Sequence, residues 1–410
     1  MLRQFLRHSA LYSVGNILTK GVSFLLIPIY LSFLSKEEYG VFEYVLSVGA
    51  IVAVVVTFEV SQGVMRFVSE YQGQRVLQSS YIATAFWFTV ASYFLLIVTV
   101  SFFLTDLSLM LLDEANRERV LLFGALAFSS SALVYFFSVV YRSKLRPQAS
   151  ILISMCSVIS IAIFSLCSLY LGYGVDGLLL AQFLAQALVI GVIVWHERKD
   201  FFKRPDLLRL KELLSFSAPL VFSSLSVVAS IFSDRLFIKA ILGFQELAVF
   251  SVGAKIAAVI TLLTMGVQSA LAPLIYAKFD CVDTPMKLRK IFWGYIFFGA
   301  SFVLAIAVLG DSLVLIIASD SYAGAASVAV VLSAAVFVQG MCAFFPGLSI
   351  YKKTKLLACV NVFGAIIAVC LNFWFVHWWG ILGASFATFA GACVIFSMNA
   401  FFSQFYYKVF

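Results

Sequence analysis

The sequence is poor in charge. Only 12% of its 410 residues are Asp, Glu, Lys or Arg, against about 25% in a soluble domain. So little polar surface cannot keep a chain of this size in water, which excludes a soluble enzyme and a disordered protein. Histidine is scarcer still: His8, His196 and His377 stand far apart and form no HExxH. The seven cysteines form no CxxC, so a secreted disulfide scaffold, a redox motif and a zinc site are all unsupported. No GxxxxGK[ST] occurs, which removes nucleotide hydrolysis by a P-loop. No paired-carboxylate or Ser/His motif points to catalysis. Alternating apolar and polar residues are also missing, so an outer-membrane barrel is excluded.

What is present is apolar sequence in long runs. Hydrophobic residues make up 63% of the chain. About twelve spans of roughly 20 residues account for that content. They are expected near 10–33, 41–68, 80–104, 119–141, 149–171, 177–195, 214–241, 247–276, 289–309, 323–350, 356–377 and 380–405. The fold class is therefore an all-α polytopic membrane protein. The first run is too long for a signal-peptide core and reads as an uncleaved span. Pro28, Pro273 and Pro346 fall inside spans, where they loosen local backbone bonding.

Basic residues set the orientation. With the N-terminus in the cytoplasm, inner segments carry 21 of the 28 Lys and Arg, and outer loops carry only Lys36, Arg117 and Arg119. That asymmetry places both termini inside. The net charge of +8 is then a topological signal and not evidence for nucleic acid.

The two halves of the chain echo each other. An offset of 208 pairs Ser9 with Ser217, Glu38 with Glu246 and Phe42 with Phe250. An offset of 206 pairs Gly174 with Gly380 and Gly177 with Gly383. Six spans per half is an even number, so both halves insert the same way up, as parallel repeats. The expected organisation is an N-lobe over 1–197, a basic cytoplasmic linker over 198–211 and a C-lobe over 212–410.

A few charges lie inside spans, where each costs at least ~2.5 kcal/mol near the centre unless it meets water or a partner. Lys20 is about 15 Å into the first span. Lys255 is inside span 8, Glu59 in the inner half of span 2, and Asp234 and Arg235 in span 7. Lys20 and Lys255 either reach an interface or a carboxylate, or line a hydrated cavity that takes an anionic ligand. Glu59 either pairs with Lys20 or acts as a protonatable coupling group. Asp234 and Arg235 either neutralise each other or face different partners, since adjacent helix positions diverge by about 100°. Arg66 ends span 2 as an anchor or a cavity residue.

Ser9-Ala-Leu-Tyr-Ser-Val-Gly-Asn-Ile-Leu-Thr-Lys-Gly-Val-Ser-Phe-Leu-Leu-Ile-Pro-Ile-Tyr30 resembles the first span of bacterial polysaccharide (O-antigen) flippases. Leu34-Ser-Lys-Glu-Glu-Tyr-Gly-Val-Phe-Glu43 is similar to their first loop, and Val64-Met-Arg-Phe67 to the end of their second span. These flippases belong to the multidrug/oligosaccharidyl-lipid/polysaccharide exporter superfamily. The resemblance implies two six-helix lobes in a V-shaped alternating-access transporter of the bacterial inner membrane, rocking about the basic linker. The implied substrate is an oligosaccharide on undecaprenyl pyrophosphate, for O-antigen or a related surface polysaccharide. A polymerase and a chain-length regulator are the implied partners, beside membrane lipid. Basic cavity residues in such proteins suit the anionic headgroup, which makes Lys20, Arg66, Arg235 and Lys255 the substrate-binding candidates. Glu59 and Asp234 are the candidates for coupling to a proton or sodium gradient. No cofactor or metal is implied. Two alternatives stand beside this reading: a cation-coupled multidrug antiporter of the same superfamily, and a membrane polysaccharide polymerase or glycosyltransferase.

Overall fold

A computed structural model of the chain describes residues 2–278, 283–351 and 353–409. Its side chains are described except at 2–14, 16, 199, 269, 270, 272–274, 276–278 and 354. The described residues form helices and connectors, with no strand. That is the expected consequence of placing backbone in lipid, where only a helix satisfies its own amides within one segment.

The first six spans are built by α1 (Leu2–Phe33), α2 (Lys36–Thr57), α3 (Val60–Glu70), α4 (Arg75–Phe102), α5 (Leu104–Leu112), α6 (Glu118–Ser143), α7 (Pro147–Tyr170) and α8 (Gly174–His196). A short α9 (Arg198–Phe201) leads to α10 (Leu207–Leu242). Then follow α11 (Phe244–Ala257), α12 (Val259–Lys278), α13 (Thr284–Ile317), α14 (Ala325–Met341), α15 (Gly347–Ile350) and α16 (Thr354–Tyr406). Among the described residues, ten helices are long and apolar enough to cross a membrane. The 53-residue α16 is two helices joined at Gly380, and Ile17–Phe33 is a shorter apolar helix. Counted so, the spans number twelve.

The repeat reappears in the backbone. α2 starts at Lys36 and α11 at Phe244, 208 residues apart. Gly174 and Gly380 open the last span of their halves with φ of 56° and 61°. A side chain is strained at such angles, so glycine is the residue that turns the chain there without cost. Each half also has a hub: α6 touches α2, α3, α4, α5, α7 and α8, and α14 touches α11, α12, α13 and α16. Pro28 is accommodated within α1. Pro346 is not in a transmembrane helix, because α14 ends at Met341 and Pro346 caps α15. The Pro273 side chain lies outside those described.

Contacts divide the chain into two compact units, Met1–Leu225 and Ser226–Phe410. The division falls inside α10, downstream of the linker. The reason is that the linker is docked on the first unit. Phe201 is 1% exposed, with its ring 5.0 Å from Phe137 and 5.3 Å from Phe86. Asp200 holds Lys144 at 2.7 Å, and Glu197 lies 3.7 Å from both Lys144 and Arg146. Lys203 donates to the Ser79 hydroxyl, and the Asp206 amide donates to Thr84 at 3.0 Å. At the head of α10, Glu212 accepts from the buried Tyr81 hydroxyl and binds Arg209 at 3.0 Å. Phe67 and Tyr71 stack on Tyr81 at 4.9 and 5.7 Å. The stretch expected to be a free joint is thus a strap fixed at many points.

Candidate functional site

In the first unit the polar site forms where a span is interrupted. α2 ends at Thr57 and α3 begins at Val60. Between them Phe58 and Glu59 both take left-handed backbone, with φ of 47° and 52°. Two successive non-glycine residues in that region store strain, of order 1–3 kcal/mol each. The interruption frees backbone groups that the hydrocarbon cannot satisfy, and such a break is tolerated only beside protein or a cavity. A cavity of about 410 Å³ lies there. Its polar lining is Thr57, Glu59, Ser61, Gln62, Ser131, Tyr135 and Gln182, and Gly49, Ala50 and Ala53 keep it open.

Hydrogen bonds order one wall of this cavity. Gln182 donates to Ser131 at 3.1 Å. Ser131 and Ser130 both donate to the Gln186 side-chain carbonyl, at 2.9 and 2.7 Å. Glu59 is half-buried on the opposite wall. Among the described residues no ion pair reaches it. The pairing with Lys20 is therefore not made, and the physical reason is packing: α1 leans on α7, with Gly15 closing against Ile151. Lys20 is exposed on α1 and does not line the cavity. Arg66 lies two turns beyond Glu59 on α3, also outside the lining. Its guanidinium sits 4.4 Å over the Phe216 ring and 3.8 Å from Glu70, with both charged groups 53% exposed. So open a pair contributes at most about 1 kcal/mol.

The second unit holds a smaller cavity of about 200 Å³. Asp234 and Arg235 both line it, together with Thr261, Gln339 and Thr388. Asp234 is 4% exposed. Its Oδ1 accepts from the Arg235 amide at 2.8 Å and lies 3.4 Å from the Arg235 guanidinium. Arg235 folds back to donate to the Ile231 carbonyl at 3.1 Å, over the Phe232 ring at 5.2 Å. The 100° divergence of the two positions is thus overcome by the length of the arginine side chain, and the two residues share one cavity. Lys255 is half-buried on α11 and does not line it, although its neighbour Ala254 does.

Sequence reasoning missed the Gln182, Gln186, Ser130 and Ser131 wall. Its signal was available as two amides four residues apart in an otherwise apolar span, which places them on one helix face. Asn372 is a further polar residue within a span. That amide is 1% exposed, and neither of its polar atoms finds a hydrogen-bond partner among the described residues. It stands one turn from Ala368, a cavity residue, and the hydroxyl of Thr388 is equally unsatisfied. Among the described residues no group of His, Cys, Asp and Glu is arranged to hold a metal ion.

Comparison with known proteins follows the same lines. Residues 5–277 match the family described as "Polysaccharide biosynthesis protein". No curated protein matches the chain significantly by sequence. Among solved structures, an inward-facing multidrug resistance MATE family transporter of the MOP superfamily is similar with a TM-score of 0.72 at 16% identity, covering 94% of each chain. An outward-facing one gives 0.66 at 16% identity, over 98% of this chain and 94% of the other. A mutant of the Vibrio cholerae MATE transporter VcmN gives 0.65 at 14% identity, over 98% and 96%. At these identities the likeness is one of fold.

Proposed function

This chain belongs to the polysaccharide biosynthesis protein family, within the exporter superfamily whose transporters share its fold, and from that premise we propose that it is a lipid-linked oligosaccharide flippase. It carries a polyprenyl-pyrophosphate-linked repeat unit, undecaprenyl pyrophosphate in the bacterial inner membrane, from the inner to the outer leaflet. The observation that carries this reading is the family match, which extends over more than half of the chain. The intramembrane cations support it. A pyrophosphate headgroup cannot cross hydrocarbon unaided, and Arg235 in its cavity, with Lys20, Lys255 and Arg66, supplies positive charge along the chain's spans. The orientation proposed has both termini in the cytoplasm, with a polymerase and a chain-length regulator acting on the delivered units.

Coupling to a proton or sodium gradient is assigned to Glu59 and Asp234. Each lines a cavity inside a span, where an ionisable side chain is costly and therefore functional by default. Neutralising both residues abolishes the ion dependence of transport under this reading; unchanged transport in the double variant would remove the assignment. The substrate is tested by deleting the gene and analysing lipid-linked intermediates. Repeat units are expected to accumulate on the cytoplasmic face. Units that reach the outer leaflet but stay unpolymerised would instead indicate a polymerase. A second reading, a cation-coupled multidrug antiporter, is favoured by one observation, the lone carboxylate of Glu59. It predicts that deletion leaves surface polysaccharide intact and sensitises cells to cationic drugs.

A further inference from the structure

At the end of the first unit opposite the docked linker, α6, α7 and α8 enclose a groove separate from the Glu59 cavity. It has a volume of about 440 Å³, within the roughly 300–1,000 Å³ of small-molecule sites. Its lining is graded. Arg119, in the first turn of α6, and Asp176, in the first turn of α8, stand at its rim with the tail of α7. Below them come Phe123, one turn down α6, Phe164, about two turns up from the end of α7, and Leu184, eight residues past Asp176. At 1.5 Å per residue the apolar part runs about 10 Å below the rim.

Neither rim charge is spent on the protein. Arg119 is exposed and makes no ion pair among the described residues. Asp176 is partly buried, and its enclosed Oδ1 has no hydrogen-bond partner. The Arg119 guanidinium acts on Asp176 through space, yet the two do not form a salt bridge. The hydroxyl of Ser168, beside them in the lining, is also unsatisfied. A carboxylate and a guanidinium held near each other but apart, above an apolar slot, complement a ligand that carries both signs on a short headgroup and a hydrocarbon tail.

We propose that this groove binds a zwitterionic aminophospholipid from the leaflet at that end of the protein. The Arg119 guanidinium donates to the phosphate oxygens, and the lipid ammonium donates to the Asp176 carboxylate. One acyl chain lies along Phe123, Phe164 and Leu184. An anionic lipid satisfies Arg119 and leaves Asp176 unpaired. A choline lipid has no N–H to give the carboxylate. The site therefore selects for the primary ammonium. It lies on a different face of the helices from the Glu59 cavity, with which it shares none of its lining.

The test uses the full-length protein purified in mild detergent, with native mass spectrometry. Phosphatidylethanolamine, phosphatidylcholine and phosphatidylglycerol of identical acyl composition are offered in equal amounts. Wild type is expected to retain the ethanolamine lipid about tenfold over each competitor, the scale set by one charge-assisted hydrogen bond. Asp176→Asn should bring the ethanolamine and choline lipids level. Arg119→Gln should lower retention of the ethanolamine lipid. Leu184→Trp, at an exposed groove position that leaves the fold undisturbed, should lower retention of all three. Equal retention of the three lipids by wild type overturns the proposal. So does a preference for the glycerol lipid, or an ethanolamine preference that survives Leu184→Trp. Should either rim variant fail to fold, the Leu184→Trp comparison decides alone.

Discussion

The two units repeat one plan and differ in how each keeps a carboxylate inside a span. In the first unit, Glu59 sits at a backbone interruption, facing amides and hydroxyls, with no cation bound to it among the described residues. In the second, Asp234 is balanced by its own chain neighbour, Arg235. The backbone differs in parallel. The α2–α3 junction uses two left-handed residues, whereas the α11–α12 junction passes through Ala258 at an ordinary φ of −62°. The first cavity is also about twice the volume of the second, at roughly 410 against 200 Å³. The lesson is that a duplicated scaffold fixes where a cavity falls, while a few polar substitutions decide whether it arrives neutral or charged. A carboxylate already neutralised in place is a structural group first. One without a resident cation is free to answer an incoming ion.

Four experiments break or sharpen that contrast. The largest effect on stability is expected from Asp234→Ala, which leaves the Arg235 side chain, 13% exposed, without its counter-charge and costs about 3 kcal/mol. A melt in detergent reads it, and the double variant Asp234→Leu with Arg235→Met should recover most of the loss. A single variant that melts like wild type would show that the pair is not structural. Gly380→Ala and Gly174→Ala come next. Each forces a side chain to positive φ, at about 1–3 kcal/mol, and a loss at both positions is the signature of the repeat, larger at Gly380, whose ψ of −140° lies outside the left-handed helical region. Tyr81→Phe removes the hydroxyl that links α4 to Glu212 and Arg209, at about 1–2 kcal/mol. Its readout is local: trypsin should cut the linker after Lys203 faster, with little change in the melt of the second unit. The smallest thermal effect belongs to Glu59→Gln, within about 0.5 kcal/mol because no bound cation loses its partner. That variant should nevertheless weaken the ion dependence of transport, a coupling effect with little thermal cost, whereas Asp234→Ala carries both a coupling effect and a large thermal loss.

Much of the fold was readable in advance, for physical reasons that can be named. Lipid demands long apolar runs, so the spans stand out, and the positive-φ glycines 174 and 380 mark the same turn twice. The interruption of span 2 was not readable. Neither Phe58 nor Glu59 is a residue that signals a break, and the apolar run passes through them. The strap was hidden for a different reason. Its basic composition suggests a solvated loop, but Phe201 inserts between Phe86 and Phe137 and the charges around it find partners on α4 and α6. Of the charges singled out within spans, Glu59, Asp234 and Arg235 reach cavities. Lys20 and Lys255 line neither of these two cavities, because depth along a helix says nothing about which face a residue occupies.

The interruption at Phe58 and Glu59 has an electrical consequence. Each helix end carries about half an elementary charge, positive where a helix begins and negative where it ends. A continuous span places those ends near its two surfaces. Here α2 ends and α3 begins inside the span, so opposite partial charges face each other across two residues. Glu59 stands at the positive start of α3, which favours a negative group there without any basic side chain. The carbonyl end of α2 offers a complementary seat to a cation. This polarity belongs to the backbone, so the first unit keeps an electrically structured cavity whichever side chains line it.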